Sequence, residues 1–257
     1  MSDWTEDALG ALKRRRFTPR AWLSFLGASF ARAAELRRSY PVAHRTVVWL
    51  AASGAVASVA VALTGRPLLG WVSVAWWLAA CLMVDWHLGL LDDLPYFGFA
   101  NTLSLLRACV VPAIVLLGPS PVAAVLFAIA GVSDVVDGHV ARAGGESTRL
   151  GLWLDGSVDG LVLSAAAVVA LPVWAAAVVV ARYVLAWLAV GGFYFLRARR
   201  PPLDGFVSGR LPGLVAFAGL LLGLLELPAA PYLAVAGAVG GLATFMASAV
   251  RTHAVAA

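Results

Sequence analysis

Asp134-Val135-Val136-Asp137-Gly138-His139-Val140-Ala141-Arg142, followed after eight residues by Gly151-Leu152-Trp153-Leu154-Asp155-Gly156-Ser157-Val158-Asp159, sets four aspartates in an otherwise apolar stretch. The runs on either side are continuous rather than alternating, which predicts helices that span a membrane. A carboxylate near the middle of a bilayer costs roughly 2.5–3.5 kcal/mol on insertion scales, so four would cost on the order of 10 kcal/mol uncompensated. Such a cluster requires a charge partner, and a divalent cation is the most economical one. On helices, Asp134 and Asp137 are three apart and Asp155 and Asp159 four apart, so each pair shares a face. Gly151, Asp155 and Asp159 continue one stripe. A short connection makes the two helices antiparallel neighbours with both pairs facing one cleft.

The rest of the 257-residue chain agrees with a polytopic all-α membrane protein. It is 61% hydrophobic and 13% charged, against roughly 45–50% and 25% in soluble domains. Mean hydropathy is +0.88. Residues 1–46 are polar and basic, with Lys13, Arg14, Arg15, Arg16, Arg20, Arg32, Arg37, Arg38 and Arg45 against Asp3, Glu6, Asp7 and Glu35. That polarity ahead of any apolar run argues against a secretory signal peptide. The basic run reads as a cytoplasmic segment close to anionic lipid. No aromatic platform accompanies it, so nucleic acid is not an expected partner. Cys81 and Cys109 lie in apolar segments and read as buried structural thiols.

Within residues 1–46, Thr18-Pro19 marks a helix start. Trp22, Leu23, Phe25, Leu26, Phe30, Ala33 and Leu36 then fall on one side and Arg20, Ser24, Glu35 and Arg38 opposite, the pattern of an interfacial helix. A helix packed on the cytoplasmic face of the core fits the same pattern. Eight apolar segments follow: Val47–Thr64, Leu68–Val84, Leu103–Leu117, Pro121–Val140, Leu150–Leu171, Val173–Leu196, Leu211–Leu225 and Tyr232–Val250. Asp85 to Asp93 reads as a solvated acidic loop. With eight spans, Arg142, Arg149, Arg197, Arg199, Arg200, Arg210 and Arg251 fall on the N-terminal side and only Arg66 opposite. The positive-inside rule therefore predicts a cytoplasmic N-terminus and an aspartate cleft at the cytoplasmic edge of the inner or plasma membrane.

Clustered hard oxygen ligands suit Mg²⁺ or Mn²⁺, with room for two ions. Gly138 and Ala141 leave space for a bulky group, and Arg142 can pair with phosphate oxygens. Carboxylates, divalent metal and anion together are the recurring apparatus of phosphoryl transfer. Ion pairing with Arg142 and Arg149 would neutralise only two of the four aspartates. A cation transporter explains the carboxylates but not the Gly, Ala and Arg spacing.

The pattern Asp134-x2-Asp137-Gly138-x2-Ala141-Arg142-x8-Gly151-x3-Asp155-x3-Asp159 resembles the full signature of the CDP-alcohol phosphotransferase family, matching at all eight positions. The resemblance implies a six-helix transferase core over residues 95–257. Residues 1–46 would be a basic, amphipathic addition and 47–94 two extra transmembrane helices with their loop. It implies transfer of a substituted phosphate from a CDP-linked donor to an alcohol with release of CMP, in membrane phospholipid synthesis. The usual lipid donor would be CDP-diacylglycerol. By the same resemblance Asp134, Asp137, Asp155 and Asp159 bind two Mg²⁺ or Mn²⁺ ions, and Asp159 also takes the proton of the acceptor hydroxyl. Gly138, Ala141, Arg142 and Gly151 would meet the donor.

Asn101-Thr102-Leu103-Ser104-Leu105-Leu106-Arg107 resembles the stretch that opens the family's first core helix, which assigns Asn101, Ser104 and Arg107 to the nucleotide. An interfacial Asn with a snorkelling Arg107 is the plain alternative. Arg182 lies mid-span where related enzymes place a basic residue for an acceptor phosphate. Arg210 stands where some have Lys. The same motif serves a transferase using CDP-choline or CDP-ethanolamine on diacylglycerol. A divalent-cation transporter is the non-enzyme alternative. Membrane lipids are expected neighbours, and residues 1–94 offer material for a homodimer contact.

Overall fold

The computed structural model describes residues 4–144, 147–197 and 210–255, with the side chains at 141, 142, 190, 193, 197, 210 and 247–255 outside that description. Every regular element among the described residues is helical. The order is α1 (Trp4–Arg14), α2 (Pro19–Ser39), α3 (Pro41–Leu63), α4 (Pro67–Trp86), a 3-10 turn (Leu88–Leu91), α5 (Phe99–Arg107), α6 (Val110–Leu117), α7 (Pro121–Gly144), α8 (Arg149–Ala170), α9 (Val173–Arg197), α10 (Arg210–Leu224) and α11 (Ala230–Val255). Proline opens α2, α3, α4 and α7, where its missing N–H costs nothing and its fixed φ suits the helix. Thr18 caps α2 by accepting from the Ala21 amide. Thr148 caps α8 through Gly151.

Among the described residues six helices are long and apolar enough to cross a membrane, which makes this a multi-pass membrane protein: α3, α4, Phe99–Leu117, Pro121–Val140, α8 and Val173–Leu196. The apolar parts of α10 and α11 are shorter, Leu211–Leu224 and Ala230–Met246. Only 6% of the apolar window of α3 is buried, against 50% for Phe99–Leu117. The α5–α6 unit is therefore the central post and α3 a peripheral one.

That post is bent. Pro112 cannot donate to the carbonyl of Ala108, so the apolar run breaks into α5 and α6. Trp76 of α4 donates its indole N–H to that carbonyl at 2.8 Å. One hydrophobic cluster joins α6 to α11, with Phe127 and Phe217 stacked at 4.5 Å. A second joins α3 and α4 to the core through Trp77, Leu88, Leu91, Leu105 and Leu150.

Three readings change. The expected solvated loop at Asp85–Asp93 begins inside the last turn of α4, where Asp85 is buried between Arg37 and His44. Leu88 and Leu91 are fully buried, so the acid is neutralised locally and the turn packs as core. Cys109, at the junction of α5 and α6, is exposed rather than buried, an apolar thiol being acceptable against lipid. α1 is a helix the sequence reading did not separate, and Lys13 Nζ donates to the Leu196 carbonyl at the end of α9. On α2, Leu23, Leu26 and Phe30 remain exposed while Ala21 and Ala33 are buried.

Candidate active site

The four aspartates converge, but through a residue from a third helix. α7 and α8 barely touch each other, and α5 packs against both. From α5, Arg107 reaches between them and is only 4% exposed. Its Nη1 donates to Asp134 Oδ1 at 2.7 Å and to Asp159 Oδ1 at 2.5 Å. Its Nη2 donates to Asp137 Oδ2 at 3.0 Å and to Asp155 Oδ1. All four Nη protons are thus committed, one to each carboxylate, while Nε is buried without a partner.

This arrangement corrects the ion-pair reading. Arg149 turns away from the cluster and pairs with Asp92, and Arg107 does the neutralising. It also removes the snorkelling alternative for Arg107, whose head group is in the interior, not at an interface. Among the described residues, one guanidinium against four carboxylates leaves a formal charge of −3 when all are ionised. The missed signal was the one applied to Arg182: an arginine inside an apolar segment needs acids to face.

Asp137 is the buried member, its side chain 4% exposed, whereas Asp134, Asp155 and Asp159 are 36–42% exposed. Ser104 Oγ, one turn before Arg107, donates to Asp137 Oδ2 at 2.7 Å. Asn101, one turn earlier still, is buried with its Nδ2 unpartnered. Its Oδ1 stands where a Cβ on Gly151 would come within 2.6 Å, so glycine at 151 leaves room for the buried Asn101 amide between α5 and α8. Asn101, Ser104 and Arg107 therefore line one stripe of α5, all pressed on the motif helices.

The donor set fits a hard divalent cation. Asp134, Asp137 and Asp155 each offer one oxygen, all within 4.8 Å of one another. Oxygens across an octahedral Mg²⁺ stand about 4.2 Å apart at bond lengths near 2.1 Å. Asp159 joins this trio through Arg107 rather than belonging to it.

Gly138, Ala141 and Arg142 lie on the last turns of α7, which runs past the expected end at Val140 to Gly144. The side chains of Ala141, Arg142 and Arg210 lie outside the described residues, Arg210 being the first residue of α10. Arg182 makes no ion pair among the described residues. Its guanidinium lies against Gly241 of α11, where a Cβ would come within 2.6 Å of its Nη atoms. It also sits 5.1 Å from the Tyr183 ring centroid. Its Nη1 is buried without a hydrogen-bond partner. Tyr183 packs against Gly160, next to Asp159, so the link from Arg182 to the cluster is indirect.

No solved structure matches the chain. The family model described as CDP-alcohol phosphatidyltransferase matches residues 97–250, more than half of the sequence. That span begins just before α5 and takes in every aspartate of the cluster together with its arginine, and the chain belongs to the CDP-alcohol phosphatidyltransferase family.

Proposed function

We propose that this protein transfers a phosphatidyl group from CDP-diacylglycerol to a small alcohol and releases CMP. The observation that carries the reading is the convergence of the Asp134/Asp137 and Asp155/Asp159 pairs on a single centre held by α5. Family membership supports phosphatidyl transfer at the level of reaction class.

Asp134, Asp137 and Asp155 would hold one divalent ion and Asp159 would help to hold a second. Mg²⁺ or Mn²⁺ there would offset charge on the diphosphate and on the departing CMP. The acceptor oxygen forms a bond to the phosphorus that carries diacylglycerol. The bond from that phosphorus to the bridging oxygen breaks, and CMP leaves with its electron pair. Asp159 takes the acceptor's proton. Ser104 holds the Asp137 carboxylate in place. Arg107 restrains all four acids, and Asn101 offers its free Nδ2 to the nucleotide. Gly138, Ala141, Arg142 and Gly151 complete the donor side.

An apolar groove of about 540 Å³ between α5 and α7 supports a lipid donor. Leu103, Ile129, Val132, Ser133 and Val136 are among its lining, the last two being chain neighbours of Asp134 and Asp137. Arg182, with a free buried N–H, and Arg210 would favour an acceptor that carries phosphate. The excess of arginines on one side supports a cytoplasmic site and N-terminus in the plasma membrane.

The test is CMP release by purified protein with Mg²⁺ or Mn²⁺, CDP-diacylglycerol and a panel of acceptor alcohols, with product lipids identified by mass spectrometry. Lipid made only from CDP-choline or CDP-ethanolamine and diacylglycerol would replace the donor assignment. Mn²⁺ flux into proteoliposomes, with no CMP from any donor, would replace the enzyme by a transporter.

A further inference from the structure

Asp92 stands outside the matched family span, in the connection between α4 and α5, yet its side chain is bound to the start of the helix that carries Asp155 and Asp159. Its Oδ2 accepts the backbone N–H of Arg149 at 3.2 Å. Its Oδ1 accepts from Arg149 Nε at 2.7 Å and from Nη2. Arg149 is the first residue of α8. A carboxylate there satisfies an amide with no partner inside the helix and lies at the positive end of the helix dipole. The backbone at Asp92 is left-handed, φ 57° and ψ −119°, a conformation a non-glycine residue adopts only when its surroundings hold it.

The surroundings are visible. Tyr40 donates its hydroxyl to the Asp92 carbonyl at 2.9 Å. Tyr40 is the corner between α2 and α3, serving as C-cap of one and N-cap of the other. Residues on either side of that corner, Arg37 and His44, both grip the buried Asp85, Nε to Oδ2 and Nδ1 to Oδ1, each at 2.6 Å. A chain of polar contacts therefore runs from the N-terminal helices through Asp92 into the first turn of α8. It matters because α7 gives α8 little direct support. The relative placement of the two carboxylate pairs depends on what holds α8 from its other sides.

We propose that Asp92, aimed by Tyr40, is a positioning residue for the transfer centre: by clamping Arg149 it sets α8 and hence the placement of Asp155 and Asp159. The catalytic half of the inference rests on the transferase reading above. It assigns the helices before residue 97 a role in the chemistry of the core rather than in anchoring alone.

The test uses the full-length protein with Asp92→Gly, Asp92→Asn, Tyr40→Phe and Arg149→Met, and the double variant Asp92→Gly/Arg149→Met. Three readouts are taken: CMP release, Mn²⁺ binding by EPR and thermal stability. Glycine suits the left-handed backbone, so D92G keeps the turn and removes only the carboxylate. The expected result is a D92G melting temperature close to wild type, kcat lowered by about 10-fold, donor KM within about 2-fold and Mn²⁺ affinity lowered by about 3-fold, since misplacing acting groups lowers turnover more than binding. Y40F should fall between D92G and wild type. The double variant should fall short of the sum of the two single effects, because D92G and R149M share the loss of the side-chain pair, while the bond to the Arg149 backbone N–H is lost only with Asp92. D92G with wild-type kcat and Mn²⁺ affinity overturns the clamp, as does strict additivity in the double variant. If D92G does not fold, D92N carries the same comparison. A wild-type protein that releases no CMP from any donor overturns the transferase reading instead, and the Mn²⁺ affinities then decide whether Asp92 orders the cluster.

Discussion

Replacing Arg107 with methionine removes the cation that, among the described residues, all four aspartates share, while keeping a long apolar side chain. The magnitude follows from burial. Breaking a buried ion pair costs about 3–5 kcal/mol, and Arg107–Asp137 is buried on both sides. The pairs with Asp134, Asp155 and Asp159 involve carboxylates more than a third exposed, so each is worth about 0–1 kcal/mol. The total in metal-free protein is about 3–8 kcal/mol, a drop on the order of 10 °C in melting temperature. A divalent cation opposes this loss. Four uncompensated acids attract Mn²⁺ more strongly than four acids already sharing a guanidinium, and an ion at 100 times its Kd returns about 2.7 kcal/mol. The assay is thermal unfolding in detergent with EDTA and with rising Mn²⁺, wild type beside R107M. R107M should melt well below wild type in EDTA and gain more from Mn²⁺. An R107M curve that matches wild type in EDTA, or that Mn²⁺ does not move, would refute the argument that Arg107 is the charge partner of a cation-binding cluster.

Other outcomes follow from the same geometry. Asp159→Asn should cut CMP release by about 10²–10⁴, the usual worth of a positioned base, with Mn²⁺ binding by EPR retained within a few-fold. Normal turnover would remove Asp159 from that role. Gly151→Ala places a Cβ within 2.6 Å of Asn101 Oδ1 and should cost about 1–3 kcal/mol through displacement of the buried Asn101 amide, read as a lower melting temperature. Ser104→Ala strips Asp137 of its hydroxyl donor and should cost about 1–3 kcal/mol in the same assay, with weaker Mn²⁺ binding.

Much of the candidate site was legible because it rests on short-range periodicity. Asp134 and Asp137, or Asp155 and Asp159, share a face whatever the helices pack against, since helical spacing alone puts them there. Gly151 could be placed on the same stripe, but the reason it is glycine could not: the atom it must clear belongs to Asn101, fifty positions earlier. Asp85 shows the converse error. Its composition reads as loop, and only its meeting with Arg37 and His44 allows it to be buried.

What the sequence by itself determined is the class of molecule, an all-helical membrane protein, and its family, through the spacing of the four aspartates. Apolar run length and helical spacing are properties of one segment at a time, and each can be read without its neighbours. Which cation meets which acid was decided only in three dimensions. Arg107, Arg142 and Arg149 were all at hand in the sequence. The packing of α5 on both motif helices brought Arg107 to the cluster, and the start of α8 at its Thr148 cap put Arg149 beside Asp92. Pairing between helices depends on where their axes run, and no spacing along a single chain encodes that directly.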